Sequence, residues 1–199
     1  MITRKEMTRM LLKEGLLSCL ADNSFESVTV TSLCKASGIT RSTFYLHYSN
    51  IMEIVDDLVD DAIAYSKPGM VDNNNLQTIA NTLSAASDSV SLREAYDSIF
   101  DRLPLCQRII RHKKYLPLFL DEQIAEYVLQ RIIRREKDRQ GLVMAEALGI
   151  SFDVGVSVFV FLVHGLYAVN KEYKWSQSDQ WLEAQKIIFE LVYRGLQSK

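Results

Sequence analysis

The stretch Thr29-Val-Thr-Ser-Leu-Cys-Lys-Ala-Ser-Gly-Ile-Thr-Arg-Ser-Thr-Phe-Tyr-Leu-His-Tyr48 limits what this chain can fold into more than any other part of it. It reads as two short helices joined by a tight turn. Thr29 is placed to cap the first, with Ser32 at its third position, because a side-chain oxygen satisfies a backbone N–H that the first turn leaves orphaned. Val30, Leu33 and Cys34 recur at i, i+3 and i+4 and make one apolar face. Gly38 falls where that helix must stop, a position that favours the left-handed region glycine enters without a Cβ penalty. Ile39 fills the corner and Thr40 caps a second helix, expected from about Arg41 to His47. On that helix Thr40, Arg41, Ser42, Thr43, Tyr45 and His47 all carry hydrogen-bonding side chains, and only Phe44 is committed to a core.

A short helix with one apolar anchor and a polar, mildly basic leading edge suits the major groove of DNA. The same pattern also describes a solvent-exposed helical hairpin with ordinary caps. The residues Thr-Val-x-x-Leu-x-x-x-x-Gly-Ile-Thr-x-x-Thr-Phe-Tyr-x-His-Tyr resemble the N-terminal signature of the TetR (tetracycline-repressor) family of transcription regulators. The likeness extends upstream through a helix ending near Asp22, with Phe25 and Thr29, and downstream to the helix start at Asn50–Leu58, roughly the first quarter of the chain. Phe44-Tyr45-x-His47-Tyr48 is its most specific part.

The resemblance implies an all-α chain with an N-terminal three-helix helix-turn-helix DNA-binding domain over residues 1–48 and a connecting helix over 49–67. A C-terminal helical domain for dimerisation and effector binding follows over 68–199. It implies a homodimer, paired through its last two helices, that binds a palindromic double-stranded DNA operator and is released by a small-molecule effector. Arg41, Ser42 and Thr43 are the expected base-edge contacts, and arginine at the helix start can reach guanine. Thr29, Thr31, Tyr45, His47 and Tyr48 are the expected phosphate contacts that set register, with Thr40 beside them. Two positions depart from the family pattern. Ile51 stands where the family usually carries a lysine that lies against a phosphate, and Ser24 stands where a glycine is common before Phe25. The first bears on affinity for the DNA backbone rather than on the fold.

Charge permits DNA binding without arguing for it. The whole chain of 199 residues has a formal net charge of −2, while residues 1–50 hold Arg4, Lys5, Arg9, Lys13, Lys35 and Arg41 against Glu6, Glu14, Asp22 and Glu26. So weak a balance predicts a shallow salt dependence, about −0.9 in log–log slope per phosphate neutralised. Residues 102–140 are more basic, but Glu136 and Asp138 break the run, and most such runs are solvated helix faces. The cysteines Cys19, Cys34 and Cys106 are unpaired in spacing, and the first two fall on apolar faces, so they read as small core residues of a protein in the reducing cytoplasm. The N-terminus lacks the basic-then-apolar layout of a signal peptide.

In chain order, Lys5 to Ala21 reads as the first helix, with Met7, Met10, Leu11, Leu17 and Leu20 as its covering face and Gly15 marking a close helix crossing. A fourth helix, capped by Ser49 or Asn50, runs to about Ser66. Ile51, Ile54, Val55, Leu58, Val59, Ala62 and Ile63 line its buried side, and Glu53, Asp56, Asp57, Asp60 and Asp61 form a solvated acidic side. Pro68-Gly69 and Asp72-Asn-Asn-Asn75 give the strongest loop signal, and the domain boundary is expected there. Further helices are expected at Leu76–Ser87, Ser91–Leu103, Leu105–Lys114, Leu118–Arg139, Phe152–Tyr173 and Ser178–Gln197. The segment from Val154 to Val169 is the most apolar, but His164 interrupts it, and burial against a second copy of the chain is expected rather than a membrane.

No catalytic constellation is visible. The histidines His47, His112 and His164 have no neighbour at metal-ligand spacing, and phosphate loops, dinucleotide glycine patterns and nucleophile elbows are missing. Neither an enzyme nor a cofactor or metal is expected. For an effector, Tyr96, Phe100, His112, Phe119, Tyr127, Phe159, His164 and Tyr167 supply a candidate aromatic pocket with polar handles. Each is equally well read as plain core.

Overall fold

A computed structural model describes residues 3–66, 75–104, 107–109 and 113–197. Among them the chain is helical and has no strand. The helices are α1 (Arg4–Asp22), α2 (Val30–Ser37), α3 (Arg41–His47), α4 (Ile51–Ser66), α5 (Asn75–Ser84), α6 (Ser89–Ser98), α7 (Pro117–Leu120), α8 (Glu122–Leu148), α9 (Phe152–Glu172) and α10 (Asp179–Gln197). Short 3-10 turns stand at Phe25–Ser27, Phe100–Arg102 and Lys113–Tyr115. The Pro68-Gly69 loop, the expected helix at Leu105–Lys114 in large part, Cys106 and His112 lie outside the described residues.

The chain divides into two compact units: Met1–Ala64 with His112–Ile132, and Tyr65–Arg111 with Ile133–Lys199. Sequence reading draws its boundary at residue 68 and assigns everything beyond it to one domain. The first unit instead takes in residues 112–132, and its bonds give the reason. Asp121 Oδ2 accepts the backbone N–H of Phe25 at 2.6 Å and Gln123 Oε1 that of Glu26 at 3.1 Å. Lys114 pairs with Glu14 at 2.6 Å, and the bond to that carboxylate holds the lysine above its usual range. Leu118, Phe119, Ile124, Val128 and Leu129 are buried. Asp121 also makes two helices where one is expected over Leu118–Arg139. Its backbone is extended, and Oδ1 accepts the N–H of Gln123 at 3.0 Å and Ile124 at 3.2 Å, which starts α8 afresh after α7. The helix then runs past Arg139 to Leu148, where Gly149 adopts φ 61.

In the first unit the buried stripe of α1 is Leu12, Leu16, Leu17 and Leu20, at helical spacing, while the expected members Met7, Met10 and Leu11 are exposed. Gly15 lies in the same stripe. A Cβ there would stand 2.8 Å from Ser37 Cβ, so the α1–α2 crossing needs glycine. The acidic side of α4 is not a solvated face. Asp57 pairs with Arg9 and Asp61 with Lys13, both from α1. Arg131 of α8 reaches Asp56 at 3.1 Å and Asp60 at 3.2 Å, and Tyr127 Oη donates to Asp56 at 2.6 Å. Glu53 accepts the N–H of Ser49 while Asn50 Oδ1 accepts that of Glu53, so Asn50 supplies the cap. These carboxylates tie α4 to its neighbours, because the bases that neutralise them come from elsewhere in the chain.

In the second unit α10 packs on α5 and α6. Trp181, Leu182 and Phe189 of α10 are buried with Ile79, Leu83, Leu92 and Tyr96. Buried polar side chains bond in two separate sets within this core. Tyr96 Oη donates to Gln107 Oε1 at 3.2 Å, Gln107 Nε2 donates to Gln185 Oε1 at 3.0 Å, and Trp181 Nε1 donates to Asn170 Oδ1 at 3.0 Å. These bonds offset part of the cost of burial, although Gln185 Nε2 has no partner among the described residues. Helices α8 and α9 touch where Gly155 meets the backbone at Gly141 and Ala145. By length and composition alone α9 is long and apolar enough to cross a membrane, and 22% of its most apolar stretch is buried. Phe161 on α9 is 66% exposed and Leu191 on α10 is 67% exposed.

Candidate nucleic-acid interface

The candidate surface is built by local chemistry. Thr29 Oγ1 accepts the N–H of Ser32 at 3.1 Å and Ser32 Oγ accepts that of Thr29 at 2.9 Å, a reciprocal cap that starts α2. Gly38 ends it in the left-handed region, at φ 68 and ψ 21, and Ile39 N–H reaches back to the Cys34 carbonyl at 3.0 Å. The chain turns at once into α3, where Thr40 Oγ1 accepts the N–H of Thr43 at 3.2 Å. Caps and turn stand at the residues named from sequence.

Helix α3 is seven residues long and only Phe44 within it is buried. The ring of Tyr45 stands edge-on to that of Phe44 at 5.1 Å, which braces an otherwise exposed side chain. Thr29, Thr31, Thr40, Arg41 and Ser42 are exposed, and Thr43 and His47 are half-buried. The hydroxyls of Ser42 and Thr43 lie 3.0 Å and 2.8 Å from that of Thr40, so the leading edge is a connected set of hydroxyls that includes the chain neighbours of the exposed Arg41.

Tyr48 is a correction. Expected to reach a phosphate, it is 3% exposed and caps the C-terminus of α3 from within the core. Its ring lies 6.3 Å from that of Phe44, and its Oη donates to Asp57 Oδ2 at 2.6 Å. Arg9, one of the basic residues among the first fifty, is turned to the same place. Its Nε donates to Tyr48 Oη at 3.2 Å and to Asp57 Oδ2 at 3.0 Å, and its guanidinium lies 5.0 Å from the centre of the tyrosine ring. Hydrogen bonds donated to Asp57 and then to Tyr48 hold Arg9 above the usual guanidinium range, and burial followed by the bond to Asp57 pushes the Tyr48 phenol above the usual tyrosine range. Both groups therefore keep their protons, and the arginine stays a cation matched to its carboxylate. Sequence reading missed Asp57 as a partner. The matched spacing of Arg9 and Lys13 with Asp57 and Asp61, four apart on each helix, is the signal that would have found it.

The expected effector pocket is divided. Tyr96, Phe100, Phe159, His164 and Tyr167 belong to the second unit, Phe119 and Tyr127 to the first, and neither unit holds the whole set. Tyr96 and Phe159 are buried, and Tyr167 stacks edge-on with Trp175 at 5.7 Å. Phe119 is core and Tyr127 is bonded to Asp56. In the first unit a cleft of about 490 Å³ is lined by Glu6, Met10, Lys13, Glu14, Leu58, Asp61 and Lys114. Its charges are spent on one another or, for Glu6, on the cap of α1. Burial raises the thiols of Cys19 and Cys34, which makes them poor nucleophiles. Among the described residues no group of three or more His, Cys, Asp or Glu is gathered to hold a metal.

Set against known proteins, this all-helical chain matches no family model, no curated protein and no solved structure.

Proposed function

We propose that this chain is a TetR-like, DNA-binding transcriptional regulator of the cytoplasm, a repressor without catalytic activity that binds a palindromic operator as a homodimer. The carrying observation is α3, a capped helix pinned by one buried aromatic, Phe44, with Arg41, Ser42 and Tyr45 turned outward. A rigid mount with a polar, cationic edge is what base-edge recognition requires. Arg41 is assigned to guanine, Ser42 and Thr43 to neighbouring base edges, and Thr29, Thr31, Thr40, Tyr45 and His47 to the backbone. The exposed apolar side chains of α9 and α10, Phe161 and Leu191 among them, are assigned to pairing with a second copy, which supplies the second reader a palindrome needs. Lipid is the less fitting cover for α9, because Asn170 within it is fully buried and bonded to Trp181. Release by a small molecule in the second unit completes the proposal through differential affinity for two separations of the readers.

A second reading is a helical dimerisation or adaptor protein that keeps the helix pair as scaffold and does not bind DNA. The internal pairing of Arg9 and Lys13 favours it, since it removes two cations from an already weakly basic region, and Ile51 adds no charge. Selection from a random duplex pool at two salt concentrations separates the two. The regulator enriches a palindrome, and Arg41→Ala weakens binding to it by about 1–3 kcal/mol if the arginine contact is bidentate. Failure to enrich any sequence at either salt leaves the adaptor reading.

A further inference from the structure

The most exposed large apolar side chain on α3, and among all those described, is Leu46, at 82%. Single exposed leucines are common on protein surfaces and call for no account by themselves. This one is set apart by its place. At about 100° per residue it points roughly 160° away from Phe44, which is the anchor of the helix. Ser42, one turn earlier, shares that outermost face. Leu46 therefore shares the outermost face with Ser42, which is assigned to a base edge, stands between Tyr45 and His47 in the chain, and has no hydrogen-bonding capacity of its own.

Only one feature of the major-groove edge of a base pair matches such a group. Thymine presents a 5-methyl there, where cytosine has only a C5–H, and the other recognition groups of the edge are hydrogen-bond donors or acceptors. A leucine laid against cytosine N4 or guanine O6 would strip water from a polar atom and return no bond. Against a thymine methyl, both partners lose apolar surface to water. We propose that Leu46 is a specificity-determining residue that selects a thymine in each operator half-site through contact with its 5-methyl group. This rests on the DNA-binding reading above and adds to it a named base preference and the residue that imposes it.

The test uses the full-length protein and the duplex selected above. Each thymine of a half-site is replaced in turn by deoxyuridine, which removes the methyl and leaves every hydrogen-bonding atom in place. Binding of wild-type protein and of Leu46→Ala is measured by titration on each duplex. One thymine per half-site is expected to matter, with about fourfold weaker wild-type binding after its replacement, the value of one buried methyl-sized group. Leu46→Ala binds the thymine duplex less tightly than wild type and shows no further loss on the deoxyuridine duplex. Because Leu46 is exposed, the thermal midpoint of the variant stays at that of wild type, so the loss is not one of folding. Equal wild-type affinity for every deoxyuridine duplex overturns the proposal, and so does a methyl effect that persists in Leu46→Ala. Both outcomes leave operator binding intact and so are distinct from failure of the DNA reading, which shows as no enriched sequence with wild-type protein and removes this role with it.

Discussion

At the scale of single residues, Asp57 carries the most consequence. One of its oxygens receives the Tyr48 phenol that closes α3 and the Arg9 guanidinium from α1. The pair is partly open, with side-chain exposures of 38% for Arg9 and 26% for Asp57, so its worth lies below that of a dry ion pair. Asp57→Asn is expected to cost about 1–2 kcal/mol in urea unfolding, since a neutral acceptor replaces a charged one. An unchanged midpoint would mean the node contributes nothing. The phenol supplies a pH signature. Its folded value lies above the ordinary 10.0, so the folded chain keeps a proton that the unfolded chain gives up. That stabilisation is complete below the unfolded value and is lost as pH rises through the folded one. Tyr48→Phe should therefore flatten the fall in stability above about pH 10, read from urea midpoints on the alkaline side.

At the scale of elements, the helix pair depends on close approach as much as on its caps. Ala is favoured over Gly inside a helix by about 1 kcal/mol. At position 15 that gain meets a Cβ only 2.8 Å from Ser37 Cβ and 3.2 Å from Ser37 Cα and N, where α2 has no room to give. Gly15→Ala is expected to lower the thermal midpoint, with a net loss of about 1–3 kcal/mol from overpacking. A raised midpoint would show that the crossing relaxes at little cost. The same unit shows why an acidic helix is not automatically a solvated one. Carboxylates repeated along α4 meet Arg9, Lys13 and Arg131 from two other helices, and the element becomes a strut braced by ion pairs.

At the scale of the molecule, the exposed apolar side chains of α9 and α10 are where the proposed pairing is tested. Phe161→Glu and Leu191→Glu place a charge at exposed positions, so neither disturbs the interior of the unit. Each is expected to shift the protein from dimer to monomer in sedimentation, with helical circular dichroism unchanged, and to abolish tight binding to a full palindrome. A wild-type protein that sediments as a monomer would remove the pairing, and one that needs detergent to stay in solution would turn attention to the length and apolarity of α9. Arg41→Ala, by contrast, should weaken operator binding with no change in sedimentation.

What the sequence determined by itself is whatever neighbours within a turn or two decide. The Thr29 and Thr40 caps, the left-handed Gly38, Phe44 as sole anchor of α3 and the helical character of the chain were all legible, because each depends on groups a few residues apart. The helix ends moved by only a few residues where a local cap existed, as at α1 to α4. Tertiary structure alone decided the rest. It turned Tyr48 and Arg9 inward to Asp57, divided the aromatic set between two units, and brought residues 112–132 to the first of them. Those outcomes depend on partners such as Arg9 and Asp57, 48 positions apart, or Arg131 and Asp60, 71 apart. Helical periodicity records which face of an element is apolar or charged. It does not record which distant element arrives to meet that face, because any complementary surface with the same spacing satisfies the local pattern equally well.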